Sequence, residues 1–432
     1  MIVMGGIIGS GIFINPYVVA RQVSTPFLIL AAWGLGGLIA LAGAFVYAEL
    51  ATRMPEVGGQ YAYLREAFHP GIAFLYGWVL LLVIQTGGMA AVAVTFAAYF
   101  HEVTGIAVPP GPVAVAVLAG LAIVNCLGVR TGSRVQSALM VLKIVAIAAL
   151  IACGGWLLLR PGAPAPIPAP AAPPAGPWAL LRSIATAMVP VLFAYGGWQT
   201  SNFVAEEIRE PRRILPRALV AGVLGVIVLY LGVNYVYVAV LGPGGLAATP
   251  TPASAVMQRA FGTAGSRWIA VGIAISALGF LSQSILTAPR VYFAMARDGL
   301  FFRSVGWLDP RHGVPSVAIL LQAAMAIVIA LSGRYDQILS YVVSMDFLFY
   351  GLTAASLFVF RRRESAASRG NRPALARVPG HPVTTALFVV ASGLVVVNTI
   401  DKYPRDTAIG FGILLAGIPV YFFWRRRARG AA

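Results

Sequence analysis

Gly5-Gly6-Ile7-Ile8-Gly9-Ser10-Gly11-Ile12-Phe13 is the stretch whose reading decides the fold. An apolar helix begins at Met1. It soon meets Gly9, Ser10 and Gly11, residue types that let a backbone leave helical geometry. Inside a bilayer such a break is costly, because no lipid group satisfies the freed N–H and C=O groups. It is tolerated where bare backbone lines a cavity and binds something, so the spacing predicts a binding site at mid-membrane.

That reading depends on a membrane, and the composition supplies one. The 432 residues are 59% hydrophobic and only 10% charged, with a mean hydropathy of +0.84. Soluble chains average about 25% charged residues. Repeated apolar stretches of roughly 20 residues predict helical spans rather than a barrel. Cys126 and Cys153 both fall in apolar runs, so no disulfide framework is expected. No cleavable signal is expected at the first apolar run.

Twelve spans are predicted, near 1–20, 26–51, 71–100, 112–129, 135–159, 179–206, 214–241, 266–296, 315–332, 337–360, 383–400 and 407–424. With the N-terminus in the cytoplasm, 22 of the 31 Lys and Arg residues fall on the inner side, in clusters such as Arg209, Arg212, Arg213 and Arg217, or Arg361, Arg362, Arg363, Arg369, Arg372 and Arg377. This positive-inside bias predicts a cell-membrane protein with both termini cytoplasmic. It also accounts for the net charge of +17 without nucleic acid. The outer loop 160–178 carries eight prolines and reads as a stiff, extended connector.

A second break mirrors the first. Span six contains Phe193-Ala194-Tyr195-Gly196-Gly197-Trp198-Gln199, again with adjacent glycines inside a long apolar helix. Span one opens one set of five helices and span six opens another, inverted by the odd spacing. Paired Gly-interrupted segments at matching places in two halves point to a transporter site. The predicted division is 1–159 for the first repeat, 160–178 for the external loop, 179–360 for the second repeat, 361–382 for a basic cytoplasmic loop, and 383–432 for two further helices and a basic tail.

Helix ends supply the chemistry. The half-helix beginning after Gly11 turns bare N–H groups and a positive dipole end toward the gap, which suits a carboxylate. The half-helices ending near Ile8 and Tyr195 turn bare carbonyls toward it, which suits an ammonium. Together these read the backbone of an α-amino acid without a charged side chain. Close helix packing is the competing explanation for Gly-rich stretches. It is adopted here for Gly5-Gly6, whereas Gly9-Ser10-Gly11 and Gly196-Gly197 are assigned to the site.

These motifs resemble the amino acid–polyamine–organocation superfamily and, within it, the L-type amino-acid transporter branch. Gly6 to Phe13 is similar to that family's first-helix signature, and Phe193 to Trp198, continued by Asn202-Phe203-Val204-Ala205-Glu206-Glu207, to its sixth-helix signature. Met54-Pro55-Glu56-Val57-Gly58-Gly59-Gln60-Tyr61, running into Tyr63-Leu64-Arg65-Glu66, is similar to its first inner loop. The resemblance implies an all-α polytopic fold, a LeuT-type five-plus-five inverted repeat with two C-terminal helices, and alternating access. By matching position it implies that N–H groups around Ser10 and Gly11 hold the substrate carboxylate. Carbonyls at Ile7, Phe193 and Gly196 would take the ammonium, beside Gly9, Ala194 and Gly197, with Phe193 also an aromatic lid. Two departures stand out. Nothing polar precedes Met1, whereas family members carry a cytoplasmic lead, so a late start or a truncated chain is expected. The loop 101–111 lacks the cysteine with which heteromeric members bond a partner, so no disulfide-linked subunit is expected.

Lys143 lies within span five, where a buried lysine is expensive. Snorkelling to the inner surface is one reading. The matching family position is a lysine that bridges helices one and eight in the place that sodium takes in related transporters, which implies a coupling or gating role and argues against sodium. Asp346 in span ten either faces the site and favours a cationic substrate or caps a neighbouring helix. Glu49 and Arg53 form an i,i+4 pair read as structural. Glu206, Glu207 and Glu210 read equally as a cytoplasmic gate or a solvated helix end. Gln199, with Ser282, Gln283 and Ser284, provides helix-to-helix hydrogen bonds or substrate contacts, the serines being assigned to the former. His69, His101, His312 and His381 fall in or beside loops, and no metal or cofactor is expected.

The function these residues predict is sodium-independent secondary transport of amino acids, by exchange or proton symport. A carrier of polyamines or other organic cations on the same fold is the alternative. A membrane enzyme would need a convergent acid, base or metal set, and only Lys143 and Asp346 are available. A channel would need a continuous polar pore. No nucleotide-binding loop is present.

Overall fold

The computed structural model describes residues 1–161, 165–168, 176–332, 335–366 and 376–429. Much of the Pro-rich loop, together with Arg369 and Arg372 of the expected inner cluster, lies outside the described residues. Helices account for the ordered elements, and no strand occurs among the described residues. In chain order they are α1 (Ile2–Ile7), α2 (Gly11–Gln22), α3 (Pro26–Arg53), α4 (Gln60–Ala67), α5 (Pro70–Val79), α6 (Gln85–Thr104), α7 (Pro110–Cys126), α8 (Val129–Leu159), α9 (Pro177–Tyr195), α10 (Pro211–Ala248), α11 (Pro252–Thr287), α12 (Pro289–Arg297), α13 (Ser316–Ser332), α14 (Tyr335–Ala366), α15 (Val383–Lys402) and α16 (Pro404–Arg429).

Local chemistry sets many of these starts. Proline opens α3, α5, α7, α9, α10, α11, α12 and α16, where its missing N–H has no helical partner to lose. Thr25 caps α3 by accepting from Leu28 N at 3.2 Å, and His69 Nδ1 caps α5 by accepting from Gly71 N at 2.9 Å. Among the described residues, nine helical stretches are long and apolar enough to cross a membrane, and Pro110–Cys126 and Ser316–Ser332 are shorter apolar helices. The chain is a polytopic, all-helical membrane protein.

The broken segments sit inside the bundle. α1 packs on the short 3-10 segment Trp198–Glu207 that follows α9, while α2 packs on α9. Around them α3 lies along α10, α8 along α11, and α6 against α11 and α13. Trp33, Tyr195 and Tyr230 form an aromatic cluster with centroids 5.1–5.8 Å apart beside the second break.

Three elements differ from the sequence-based expectation. The loop after Met54 contains a helix, α4, because Tyr61, Tyr63 and Leu64 have apolar neighbours to bury against. The third span runs unbroken over Pro70–Thr104, with α5 joined to α6 by a π turn at Leu80–Ile84. The seventh span continues beyond 241 to Ala248 through a kink at Gly242. There Ile167 N donates to Leu241 O at 3.0 Å and Gly244 N donates to Ile167 O at 3.1 Å. Gly242 has φ +74 and lies against the Ile167 backbone, so only glycine fits.

The inner ends are tied by charge. Glu49, fully buried on α3, accepts from Arg53, from Arg361 on α14 (2.6 and 2.9 Å) and from Val378 N (2.7 Å). The simple i,i+4 pair expected from sequence is therefore one edge of a network joining three elements. A buried carboxylate with this many donors is satisfied rather than stranded.

Candidate functional site

The first break falls between α1 and α2. Ile8 is extended at φ −74 and ψ 96, and α2 starts at Gly11 with no side-chain cap from Ser10. The first intrahelical bonds of α2 are donated by Phe13 and Ile14 to Ser10 O, so the N–H groups of Gly11 and Ile12 precede the ladder. The Ser10 hydroxyl is buried and has no hydrogen-bond partner among the described residues.

At the second break, α9 ends at Tyr195 and Gly196 is extended. Gly197 takes φ +101, which an L side chain adopts only under strain, and its α-carbon faces the Gly6 carbonyl with no room for a methyl group. The Gly6–Gly197 contact is one of the places where the two broken helices touch. Gly5-Gly6 are read from sequence as packing glycines: a methyl on Gly5 would collide with Gln136 and one on Gly6 with Gly197, but Gly6 also lines the cavity between the breaks, a place the sequence reading had not assigned to it.

One cavity lies between the breaks. Its wall includes Ile7, Gly9, Ser10 and Gly11 from the first break, and Phe193, Ala194, Gly196, Gly197 and Gln199 from the second. Asp346 of α14 lines it as well. Every residue assigned to substrate contact or selectivity from sequence is thus in one place. Lys143 does not line the cavity. It is fully buried behind α1, where Nζ donates to Gly5 O at 3.1 Å and Ile8 O at 2.5 Å. Its stem also lies against Gly279 of α11. The lysine does not reach for the membrane surface, because two bare carbonyls at the end of α1 are nearer.

Several carbonyls are already engaged. Tyr230 of α10 places its hydroxyl 3.3 Å from Ile7 O and 3.2 Å from Ala194 O, bridging the two breaks. Ser276 Oγ donates to Gly9 O at 3.4 Å, and Gly196 N donates to Phe193 O at 3.2 Å. Asn15 Nδ2 on α2 donates to Pro190 O on α9 at 2.6 Å.

Sequence reasoning missed part of the wall. Ile84 enters from the π turn of the third span, Gln85, Gly88 and Val92 from α6, Phe280 from α11 and Val342 from α14. A π turn carries no residue signature, and helix-face assignment needs the neighbours. The polar residues of α11 also divide differently from the expectation. Ser284 and Gln283 line the cavity, and the hydroxyls of Ser282 and Ser284 have no partner among the described residues, so these serines do not make the helix-to-helix bonds assigned to them. Gln283 does, donating to Thr200 at 2.9 Å. Gln199 accepts from Gly197 N at 3.1 Å and so braces the break that it lines. Of the inner acidic trio, Glu207 pairs with the buried Arg290 at 2.8 Å, Glu206 accepts from Val57 N at 3.0 Å, and Glu210 meets only Arg213 at 3.6 Å in the open.

Comparison with known proteins shows the family. A family profile described as amino acid permease matches residues 1–424. The serine/threonine exchanger SteT of Bacillus subtilis is 30% identical over 99% of this chain and 95% of its own length. The human large neutral amino acids transporter small subunit 2 is 29% identical over 99% of this chain and 80% of its own. The rabbit b(0,+)-type amino acid transporter 1 is 33% identical over 83% of this chain and 74% of its own.

Proposed function

This chain belongs to the amino acid permease family, and from that premise we propose that it is a sodium-independent secondary transporter of amino acids working by alternating access. The observation that carries the reading is the meeting of two broken helices around one cavity. The start of α2 and the Ser10 hydroxyl offer donors there, and the ends of α1 and α9 offer carbonyls. A zwitterion's carboxylate matches the positive helix end and its ammonium the carbonyl ends. Gly196 O is the acceptor best placed for the ammonium, since Ile7 O and Phe193 O already accept from Tyr230 and Gly196. Phe193 closes over the cavity from the α9 side.

The pairing of α2 with α9, and of α1 with the segment after α9, supports a LeuT-type arrangement in which residues 1–159 and 179–360 are inverted repeats. Lys143 supports sodium independence, because its Nζ already occupies the carbonyls of Gly5 and Ile8. Rocking of one repeat against the other would expose the cavity to each side in turn, with both termini cytoplasmic. A polyamine or other cation without a carboxylate fits less well, since it leaves the α2 terminus and Ser10 unmatched.

The test is counterflow in proteoliposomes preloaded with one labelled amino acid and challenged with a panel of others, with and without sodium. Stimulated flux that ignores sodium is expected. Absence of substrate-dependent flux for every amino acid would overturn the reading, and a strict sodium requirement would overturn its ionic part.

A further inference from the structure

We propose that Asp346 makes the loaded cavity require one positive charge beyond the amino acid's own zwitterion, supplied by a cationic side chain of the substrate or by a proton. The inference rests on the amino-acid reading of this cavity and adds a rule for which cargo it accepts.

The argument is a charge balance. Asp346 lies mid-helix on α14 and shares the cavity wall with both breaks. It makes no ion pair with any described residue. Among the described residues that line the cavity, none is a compensating cation. Tyr350, one turn along α14, sets its hydroxyl beside the carboxyl. Tyr47 of α3 and Tyr76 of α5 approach from the neighbouring helices. The other elements on the cavity contribute only neutral polar groups: Gln85 from α6, Gln199 and Thr200 from the segment after α9, and Gln283 and Ser284 from α11. Lys143 is committed to the carbonyls behind α1 and does not line the cavity.

An ionised carboxylate in this setting is expensive unless it is matched. The zwitterion does not match it. Its carboxylate is balanced by the α2 terminus and its ammonium by carbonyls, so the pair is neutral as bound. One negative charge remains at Asp346. A lysine-like or ornithine-like substrate cancels it with the side-chain ammonium. A serine-like or leucine-like substrate leaves it, and must enter with a proton on Asp346. The proton comes from the loading side and leaves to the opposite side when the carboxylate meets water again. Cationic substrates therefore travel without a proton and neutral ones with one.

The experiment is exchange by the full chain in proteoliposomes, with lysine and ornithine compared with serine and leucine at acid and alkaline pH. In the wild type, neutral substrates should lose about tenfold or more in apparent affinity toward alkaline pH, where a proton is scarce. The cationic pair should hold or gain. Asp346→Asn should weaken the cationic pair by about tenfold or more and make neutral exchange indifferent to pH. Asp346→Glu should keep the wild-type pattern. Flat neutral exchange together with rejection of lysine and ornithine by the wild type would overturn the proposal, and so would an unchanged pattern in Asp346→Asn. The wild-type profile decides the matter even where the Asn variant is poorly made. No flux of any substrate would instead remove the transport reading beneath it.

Discussion

Lys143 Nζ donates to the carbonyl of Ile8 at 2.5 Å, across 135 positions of sequence, just beyond the end of α1, whose Gly6 and Ile7 line the cavity. The same ammonium reaches Gly5 O at 3.1 Å. Charge-assisted bonds of this kind contribute roughly 1.5–3 kcal/mol each. Lys143→Ala should therefore lower exchange by at least about tenfold. Wild-type counterflow in that variant would remove any coupling or gating role for the lysine.

Gly11 opens α2 against Ala194. A methyl group at Gly11 would lie 2.9 Å from both the α- and β-carbons of Ala194. Gly11→Val should abolish amino-acid binding while the protein still inserts and elutes as a single species. Substrate-induced thermal stabilisation in detergent is the readout, and retained stabilisation would mean that the break only packs helices.

Tyr230 joins Ile7 and Ala194 through one hydroxyl. Tyr230→Phe removes the donor and leaves buried carbonyls unsatisfied, at a cost of about 1–3 kcal/mol. The expected result is a rise in KM of about five- to tenfold with normal expression, read from concentration-dependent uptake. A KM equal to wild type would show that the bridge is incidental.

Arg290 and Glu207 join α12 to the end of the segment after α9. Arg290 is buried and also donates to Leu286 O at 2.6 Å, while Glu207 is half exposed. Glu207→Gln should release this tie and raise the accessibility of a cysteine placed at Ser284 to membrane-impermeant thiol reagents from the cytoplasmic side. Labelling equal to the same cysteine in the wild-type background would count against an inner gate here.

Glu49 accepts from two arginines, Arg53 and Arg361, and from Val378 N. Glu49→Ala leaves Arg361 and Arg53 without their buried partner. Breaking such a pair costs about 3–5 kcal/mol. A large fall in melting temperature in detergent is expected, with substrate affinity little changed in the fraction that remains folded.

The sequence determined the class and the two ends of the site by itself. Long apolar runs permit only helices across a bilayer, because backbone groups there must bond within their own segment. Gly9-Ser10-Gly11 and Gly196-Gly197 announced the breaks, because residues that abandon a helix in hydrocarbon need a reason. Side-chain destinations were another matter. Nothing in Lys143 or Tyr230 says which carbonyl it will meet, since each partner lies more than a hundred residues away or on a different broken helix. Ile84 entered the wall from a π turn that no residue type marks, and Gln85, Gly88 and Val92 from the helix that follows it. A periodic pattern does not tell a packed face from a cavity face, so it does not show that Ser284 lines the cavity. Tertiary structure decided these points for one physical reason: which polar groups come within hydrogen-bond reach of one another is fixed only when the helices pack. The opening motif predicted a gap in a helix. Packing made it a cavity by setting Gly197 against Gly6, Tyr230 across both breaks and Asp346 in the wall.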